Sequence, residues 1–471
     1  MTASTTAVPD VASARELGLL LPPGFELGVA TASYQIEGAV DEGGRGPSIW
    51  DTFSHTPGKV ARGETGDVAC DHYHRYREDV ALMRDLGVDA YRLSVAWPRV
   101  QPDGRGAVNP DGLAFYERLV DELLEHGITP LVTLYHWDLP QPLEDDGGWR
   151  NRDTAQRFAD YARIVQDALG DRVSRWITLN EPYCSSVLGY GTGRHAPGVK
   201  DTHAALSTAH HLLLGHGLAV AAMREADPDA SYGITLNLEP AQPVSDREAD
   251  VEAARRSELL SNRIFTDPVL RGTYPDDARE VWGEASDLGF LRDGDLAVTS
   301  APLDFLGVNY YFPARIKAVP HEEPAPALRR VDDLGALPLM LADDDVTEMG
   351  WPVDADGIRR LLVWLHRTYP GLPPVYITEN GRACADVPEG DVVDDRDRIG
   401  YLDGHLRGVV AATEGGVDVR GYYVWSLLDN FEWAAGYARR FGLVHVDYDT
   451  QRRLPKASYH WYREVIAARA N

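Results

Sequence analysis

Residues 109–137 read NPDGLAFYERLVDELLEHGITPLVTLYHW. Asn109 stands at an N-cap position and Pro110 at the first helical position, where its fixed φ suits the helix and its missing N–H is not needed. Leu113, Tyr116, Leu119, Val120, Leu123 and Leu124 then recur at the three- and four-residue spacing of a buried helical face. Gly127 ends the helix, and Thr129–Trp137 follows at once as a nearly continuous apolar run. A half-exposed strand alternates polar and apolar residues. An unbroken run is the pattern of a strand covered on both faces, as in a parallel sheet flanked by helices.

The same unit recurs on either side. Further strand-like runs are Phe25–Ser33, Asp89–Trp97, Arg175–Glu181, Tyr232–Leu238, Asp304–Tyr311, Val375–Glu379 and Gly421–Leu427, which brings the number to eight. Helical periodicity lies between them, for example over Tyr76–Leu86, closed by Gly87, and over Ile358–Leu365. Eight such alternations predict an α/β fold: a single (β/α)8 TIM barrel over residues 21–471, with no Gly/Ser linker and no internal repeat. Two acidic stretches punctuated by Pro or Gly, Val319–Gly350 and Arg382–Arg398, read as extended βα loops. Residues 1–20 read as a polar, disordered tail.

Composition narrows the function. The chain has 471 residues, 44% of them hydrophobic, enough for a large core. Its formal net charge of −27 disfavours nucleic acid and anionic membrane as partners. No run of about 18 apolar residues suggests a membrane span, and Met1–Leu20 lacks the basic start and apolar stretch of a secretory leader. Cys70, Cys184 and Cys384 are odd in number and far apart, which fits a reducing, cytoplasmic setting better than a disulfide framework. Four of the 46 basic residues are lysines, a bias read as genomic rather than functional.

In a barrel enzyme, chemistry belongs where strands end and βα loops begin. The fourth strand ends Thr178-Leu179-Asn180-Glu181-Pro182, and the seventh ends Ile377-Thr378-Glu379-Asn380-Gly381. Each delivers a carboxylate to the mouth straight after apolar residues, a costly place for a charge unless it is paired or used. Either one alone could be a loop cap or a salt bridge. Two together suit glycoside hydrolysis, in which one carboxyl protonates the leaving oxygen and the other attacks the sugar carbon.

TLNEP at 178–182 and ITENG at 377–381 resemble the two signature motifs of the family 1 glycoside hydrolases, the β-glucosidase family. The likeness runs from about Phe25 to Tyr462. It includes Ala30–Gly38, Tyr135–Asp138, Gly307–Tyr311 and Trp425–Trp433. The resemblance implies a retaining β-glycosidase of carbohydrate breakdown, most simply a β-glucosidase releasing terminal β-D-glucosyl residues from cello-oligosaccharides or aryl and alkyl glucosides. It implies Glu181 as acid/base and Glu379 as nucleophile, with Arg92 keeping Glu379 ionised and Tyr311 hydrogen-bonded to it. Gln35, His136, Trp137, Asn180, Asn309, Glu432 and Trp433 match sugar-binding positions, Trp425 the platform beneath the sugar, and Trp351 a stacking surface for the leaving group. No cofactor and no metal is implied; a homo-oligomer is compatible.

Blander roles stand beside these. Arg92 could be a barrel-floor strut, His136 and Trp137 a satisfied core pair, and Trp351 a lid residue. The chain departs from the family pattern at Leu27, Cys184 and Arg382. Three rival functions remain at this point. A 6-phospho-β-glycosidase needs a cationic pocket, which Glu432 opposes. A thioglucosidase lacks the acid, yet Glu181 is present. A non-catalytic sugar-binding module would have no need of both carboxylates.

Overall fold

The computed structural model describes residues 11–282, 286, 288–319, 336–338 and 345–469. Eight parallel strands close into a barrel: β1 Glu26–Ala30, β2 Ala90–Ser94, β3 Thr129–Tyr135, β4 Arg175–Asn180, β5 Ser231–Asn237, β6 Phe305–Asn309, β7 Val375–Asn380 and β8 Val419–Trp425. Each pairs with its neighbour in sequence, and β8 closes on β1 through Glu26 opposite Gly421 and Ala30 opposite Trp425. All eight expected runs are barrel strands. They are shorter at the C-terminal end where the run continues into the mouth: Phe25–Ser33 pairs only as far as Ala30, and Thr129–Trp137 only as far as Tyr135.

The helix after Asn109 spans Pro110–Glu125. Asn109 holds the N-cap position but does not cap; its amide instead donates to the carbonyls of Gly43 and Arg99 at 2.7 and 2.8 Å. The side chain therefore stitches the loop at Gly43 and the short helix Trp97–Val100 to the helix start. Phe115, Tyr116, Leu119, Val120 and Leu123 are buried on the face that periodicity marks out, whereas Leu124 is exposed. The helices announced by Tyr76–Leu86 and Ile358–Leu365 span His72–Leu86 and Ala355–Thr368.

Two expectations change. Of the segment read as a tail, residues 1–10 lie outside the described residues and Val11–Leu20 is a helix. It carries Ala14 and Leu17, both fully buried, against the C-terminal helix Ala457–Ala468. The approach is tight enough that a Cβ on Gly18 would lie 2.5 Å from the Val465 carbonyl oxygen. Of its six apolar residues only Ala14 and Leu17 are buried, so the segment has no wide hydrophobic stripe of its own, and its burial is supplied by the far end of the chain. Most of Val319–Gly350 lies outside the described residues, but within it Ala336–Pro338 forms a strand. That strand joins a small sheet with Ala314–Ala318 and Ala241–Pro243, outside the barrel. Arg382–Arg398 is loop up to Asp395, where the helix Arg396–Glu414 begins.

The barrel interior is polar at its base. Arg175, first residue of β4, pairs with Glu26, first residue of β1, at 2.8 and 3.0 Å across the N-terminal end, and the Tyr423 hydroxyl donates to the same carboxylate. Above this floor the next interior charge is Arg92, in the middle of β2. Truncating the docked N-terminal helix tests its place in the fold. Leu17→Ala is expected to destabilise the protein by about 2–4 kcal/mol, read as a lower urea midpoint, with kcat/KM of the folded enzyme unchanged.

Candidate active site

Local irregularity at two strand ends creates the site. Between β7 and β6 the ladder pairs Ile377 with Val308 and Glu379 with Asn309, leaving Thr378 as an extra residue. Between β4 and β5, Ile177 pairs with Gly233 and Asn180 with Thr235, again one residue over. Such bulges re-aim side chains at a sheet's end. Here Thr378 and Glu379 both make bonds inside the barrel. Gly307 makes room for this: a Cβ there would lie 2.2 Å from Thr235 Oγ1 and 3.0 Å from Thr378 Oγ1. Glu181 lies just past β4 with φ +45°, a left-handed conformation unusual for a glutamate. Its N–H donates to the Thr235 carbonyl at 2.9 Å, and its own carbonyl accepts from the Cys184 N–H at 2.9 Å. These bonds hold a turn that aims the carboxyl inward.

The two carboxyls have different partners. Arg92 is buried and spends every guanidinium nitrogen inside the site: Nε on Thr133 Oγ1 at 3.2 Å, Nη1 on the Thr378 carbonyl at 3.1 Å and on Glu379 Oε1 at 2.6 Å, Nη2 on Asn180 Oδ1 at 2.7 Å. The second oxygen of Glu379 accepts from the Tyr311 hydroxyl at 2.6 Å. Glu181 touches no cation among the described residues. Its Oε1 accepts from Asn309 Nδ2 at 2.7 Å, and its Oε2 from the Cys184 thiol at 3.1 Å. Thr378 Oγ1 donates to Asn309 Oδ1 at 2.7 Å and so fixes which way that amide faces.

Electrostatics follows from the partners. Burial, then the negative charge of Glu379, pushes Glu181 up to about 8, against weaker opposition from Asn309, Cys184 and Arg92. Burial also raises Glu379 above the ordinary carboxylate range, opposed first by the Arg92 charge and then by Tyr311. The cation therefore limits the rise rather than driving the group below its usual range, because desolvation is the larger effect. A third carboxyl, Glu432, is pushed up to about 8 by burial and by the charges of Glu379 and Glu181. Burial and the Arg92 charge hold His136 well below the usual imidazole range, so it is neutral. Its Nε2 lies 3.0 Å from Asn180 Nδ2 and accepts, which leaves the proton on Nδ1.

A cavity of about 410 Å³ opens above these groups. Its wall includes His136, Trp137, Glu181, Asn309, Tyr311, Trp351, Glu379, Trp425, Glu432 and Trp433, ten of the thirteen expected site residues. The other three, Gln35, Arg92 and Asn180, support that wall: Arg92 and Asn180 through the bonds above, and Gln35 through Nε2, which reaches the Phe431 carbonyl at 2.9 Å and Glu432 Oε2 at 3.5 Å. Trp137 anchors its ring by donating from Nε1 to the Asn180 carbonyl at 2.9 Å and packs at a tilt against Trp433, with ring centroids 4.5 Å apart. Two polar atoms at the wall, His136 Nδ1 and Gln35 Oε1, are buried without a hydrogen-bond partner among the described residues. One is a donor and one an acceptor, the pair that a ligand hydroxyl satisfies. Trp351 stands at the rim beside Tyr311 and Phe312, with ring centroids 5.4 and 4.9 Å away.

Some lining residues escaped the sequence reading. Tyr183, His195, Asn237, Glu239 and Phe441 also face the cavity. Glu239 carried the same signal as Glu181 and Glu379, a carboxylate just beyond a buried strand. Of the departures noted above, Cys184 is in direct contact with Glu181. Arg382 is not at the cavity; it forks onto Asp345 at 2.6 and 2.9 Å and ties two rim loops together.

Comparison with known proteins agrees with this geometry. Residues 19–471 match the model of glycosyl hydrolase family 1. A thermostable beta-glucosidase B of Thermobispora bispora is 52% identical over 449 residues, covering 95% of this chain and 91% of its own. A bifunctional beta-D-glucosidase/beta-D-fucosidase of Bifidobacterium breve is 50% identical over 464 residues, covering 95% and 98%. The crystal structure of a psychrophilic beta-glucosidase from Micrococcus antarcticus superposes with a TM-score of 0.92 at 49% identity, covering 97% of this chain and 99% of that one. The chain belongs to glycosyl hydrolase family 1 and is a retaining β-glycoside hydrolase.

Proposed function

We propose that this hydrolase is a β-glucosidase in which Glu379 is the nucleophile and Glu181 the acid/base. Its substrates are terminal non-reducing β-D-glucosyl residues of cello-oligosaccharides or of aryl and alkyl glucosides. The observation that carries the assignment is the one-sided placement of the cation: Arg92 contacts Glu379 and not Glu181. A nucleophile must be ionised, and an acid must hold its proton near neutral pH. Glu379 with a cation and a phenol on its two oxygens suits the first task. Glu181, buried beside another carboxylate with only neutral donors, suits the second.

In the first step Glu379 attacks the anomeric carbon while Glu181 gives its proton to the departing oxygen. In the second, Glu181, now ionised, takes a proton from water as that water displaces Glu379. Ionising Glu379 and Glu181 together is disfavoured by their mutual repulsion. Forming the glycosyl ester removes the charge on Glu379, which lets Glu181 act as a base in the second step. The unpartnered His136 Nδ1–H and Gln35 Oε1, with Glu432 beside them, support a sugar hydroxyl site. The indoles of Trp425 and Trp433 offer flat faces for the sugar's C–H side. Three unpaired cysteines support a reducing, cytoplasmic working place, and no helix among the described residues is long and apolar enough to cross a membrane.

Four outcomes test this reading. Glu181→Ala is expected to lose most activity on glucosides with poor leaving groups and least on the dinitrophenyl glucoside, whose leaving group departs without a proton. Equal losses on both would remove Glu181 from the acid role. Glu379→Ala should be inactive on either substrate. For Arg92→Met, loss of the cation raises the Glu379 pKa further, so the acidic limb of kcat/KM moves to higher pH by roughly 1–3 units. That profile is measured with the dinitrophenyl glucoside, and an unmoved limb in a folded variant would make Arg92 a strut. Finally, Glu432 lies among carboxylates with no cation in contact among the described residues, so cellobiose should be preferred over its 6′-phosphate in kcat/KM by at least about a hundredfold. Comparable values for the two sugars would contradict that assignment.

A further inference from the structure

Of the chain's four lysines, Lys59 is half-buried, Lys200 and Lys317 are exposed, and Lys456 is fully buried. A chain that uses arginine at nearly every basic position keeps an ammonium here. Lys456 lies between the strand Arg452–Pro455 and the helix Ala457–Ala468. Its Nζ donates to Asp386 Oδ2 and, at 2.6 Å, to Asp429 Oδ1. Asp386 belongs to the loop after β7, the strand that carries Glu379. Asp429 belongs to the loop after β8 and stands three residues before Glu432.

Both carboxylates are otherwise held from within the same cluster. Arg398 Nη2 donates to Asp386 at 2.7 Å, and Arg440 Nη1 to Asp429 Oδ2 at 2.7 Å. Burial works against the Asp429 carboxylate, but the charges of Lys456, Arg440 and Arg398 hold it below the usual range. Past Asp429 the loop is gripped again: Gln35 Nε2 donates to Asn430 Oδ1 at 3.0 Å and to the Phe431 carbonyl at 2.9 Å. Trp433 then adopts φ +50°, a turn that needs support on both sides.

We propose that Lys456 is a positioning residue of the sugar site: its ammonium joins the loop after β7 to the loop after β8 and so sets where Glu432 and Trp433 stand. The inference rests on the reading that Glu432 and Trp433 hold the substrate sugar. A compact ammonium with three rotatable donors fits between two buried carboxylates on different loops. A planar guanidinium spreads its donors over a wider fork and needs more room. Losing the ammonium leaves Asp429 with one negative charge too many next to the segment that carries Glu432.

The test is steady-state kinetics of Lys456→Met on a nitrophenyl β-glucoside across pH, beside wild type and Glu432→Gln. KM is expected to rise about tenfold with kcat within about threefold of wild type. Both limbs of the kcat profile should stay in place, because Arg92, Tyr311 and Asn309 hold the two reacting carboxyls independently. Lys456→Arg should fail to restore KM. A strut that only kept the protein folded would give fewer active molecules, a lower kcat and an unchanged KM; that result overturns the proposal. If Lys456→Met does not fold, Asp386→Asn decides, since it frees one loop while leaving the ammonium on Asp429. There KM should rise about threefold, and an unchanged KM overturns the proposal. Should Glu432→Gln also leave KM unchanged, the reading of the sugar site falls with it. A KM raised in Glu432→Gln but not in Lys456→Met removes the clamp alone.

Discussion

The ion pair between Arg92 and Glu379 is the contact on which the rest of the mouth is arranged. Breaking a buried pair by removing one partner costs about 3–5 kcal/mol, because the remaining charge is stranded. The guanidinium is committed on all sides, to β3 through Thr133, to β4 through Asn180 and to β7 through Thr378 and Glu379. One side chain on β2 thus fixes how three other strands present their ends. The asymmetry it creates, a cation on one carboxyl and none on the other, is also what separates their protonation states. The contacts that tie the strands together and the contact that places a charge beside Glu379 are thus made by one guanidinium.

The strand ends had to be irregular for this to happen. A regular parallel ladder sends successive side chains to opposite faces, so Thr378 and Glu379 could not both reach inward. The bulge at Thr378 lets the threonine orient Asn309 and the glutamate meet Arg92. Gly307 admits the crowding that results. On β4 the equivalent displacement, followed by the left-handed turn at Glu181, swings the second carboxyl over the same point. The strain in that turn, on the order of 1–3 kcal/mol for a non-glycine residue, is sustained by backbone bonds to Thr235 and Cys184.

Much of this was legible in the residues, and the limits of legibility have physical reasons. Strand runs were readable because burial on both faces leaves no polar alternation, and Glu181 and Glu379 because a carboxylate after such a run is anomalous. Glu239 bore the same mark beyond β5, but no motif drew attention to it. The helix Val11–Leu20 was not legible: Ala14 and Leu17 become core only once Val465 and Ala468, some 450 positions away in the chain, are brought alongside. The role of Asn109 was half legible. Its position at the helix start follows from Pro110, but its partners Gly43 and Arg99 come from a loop and a short helix whose placement the local sequence does not dictate. A cation beside Glu379 can be guessed from a motif, whereas the depth of burial that outweighs it and raises the Glu379 pKa is a property of the closed barrel.

Two buried charge systems flank the mouth, and the contrast between them shows what distinguishes a reactive site from a scaffold. In the outer cluster Asp386, Asp395 and Asp429 face Arg398, Arg440 and Lys456, three charges of each sign, bridged by hydrogen bonds. Such a cluster can serve as a rigid joint between loops. At the cavity, Arg92 is the one cation in contact with Glu181, Glu379 or Glu432 among the described residues, and it is bound to Glu379. In a space of low dielectric that excess of acid over base cannot be fully ionised, so protons must reside on the carboxyls that lack the cation. A proton stored on a carboxyl at neutral pH is what the departure of a sugar's leaving group requires. The imbalance is therefore as much a part of the design as the pairing, and the balanced cluster beside it supplies the stiffness that keeps three mutually repelling groups in one small volume.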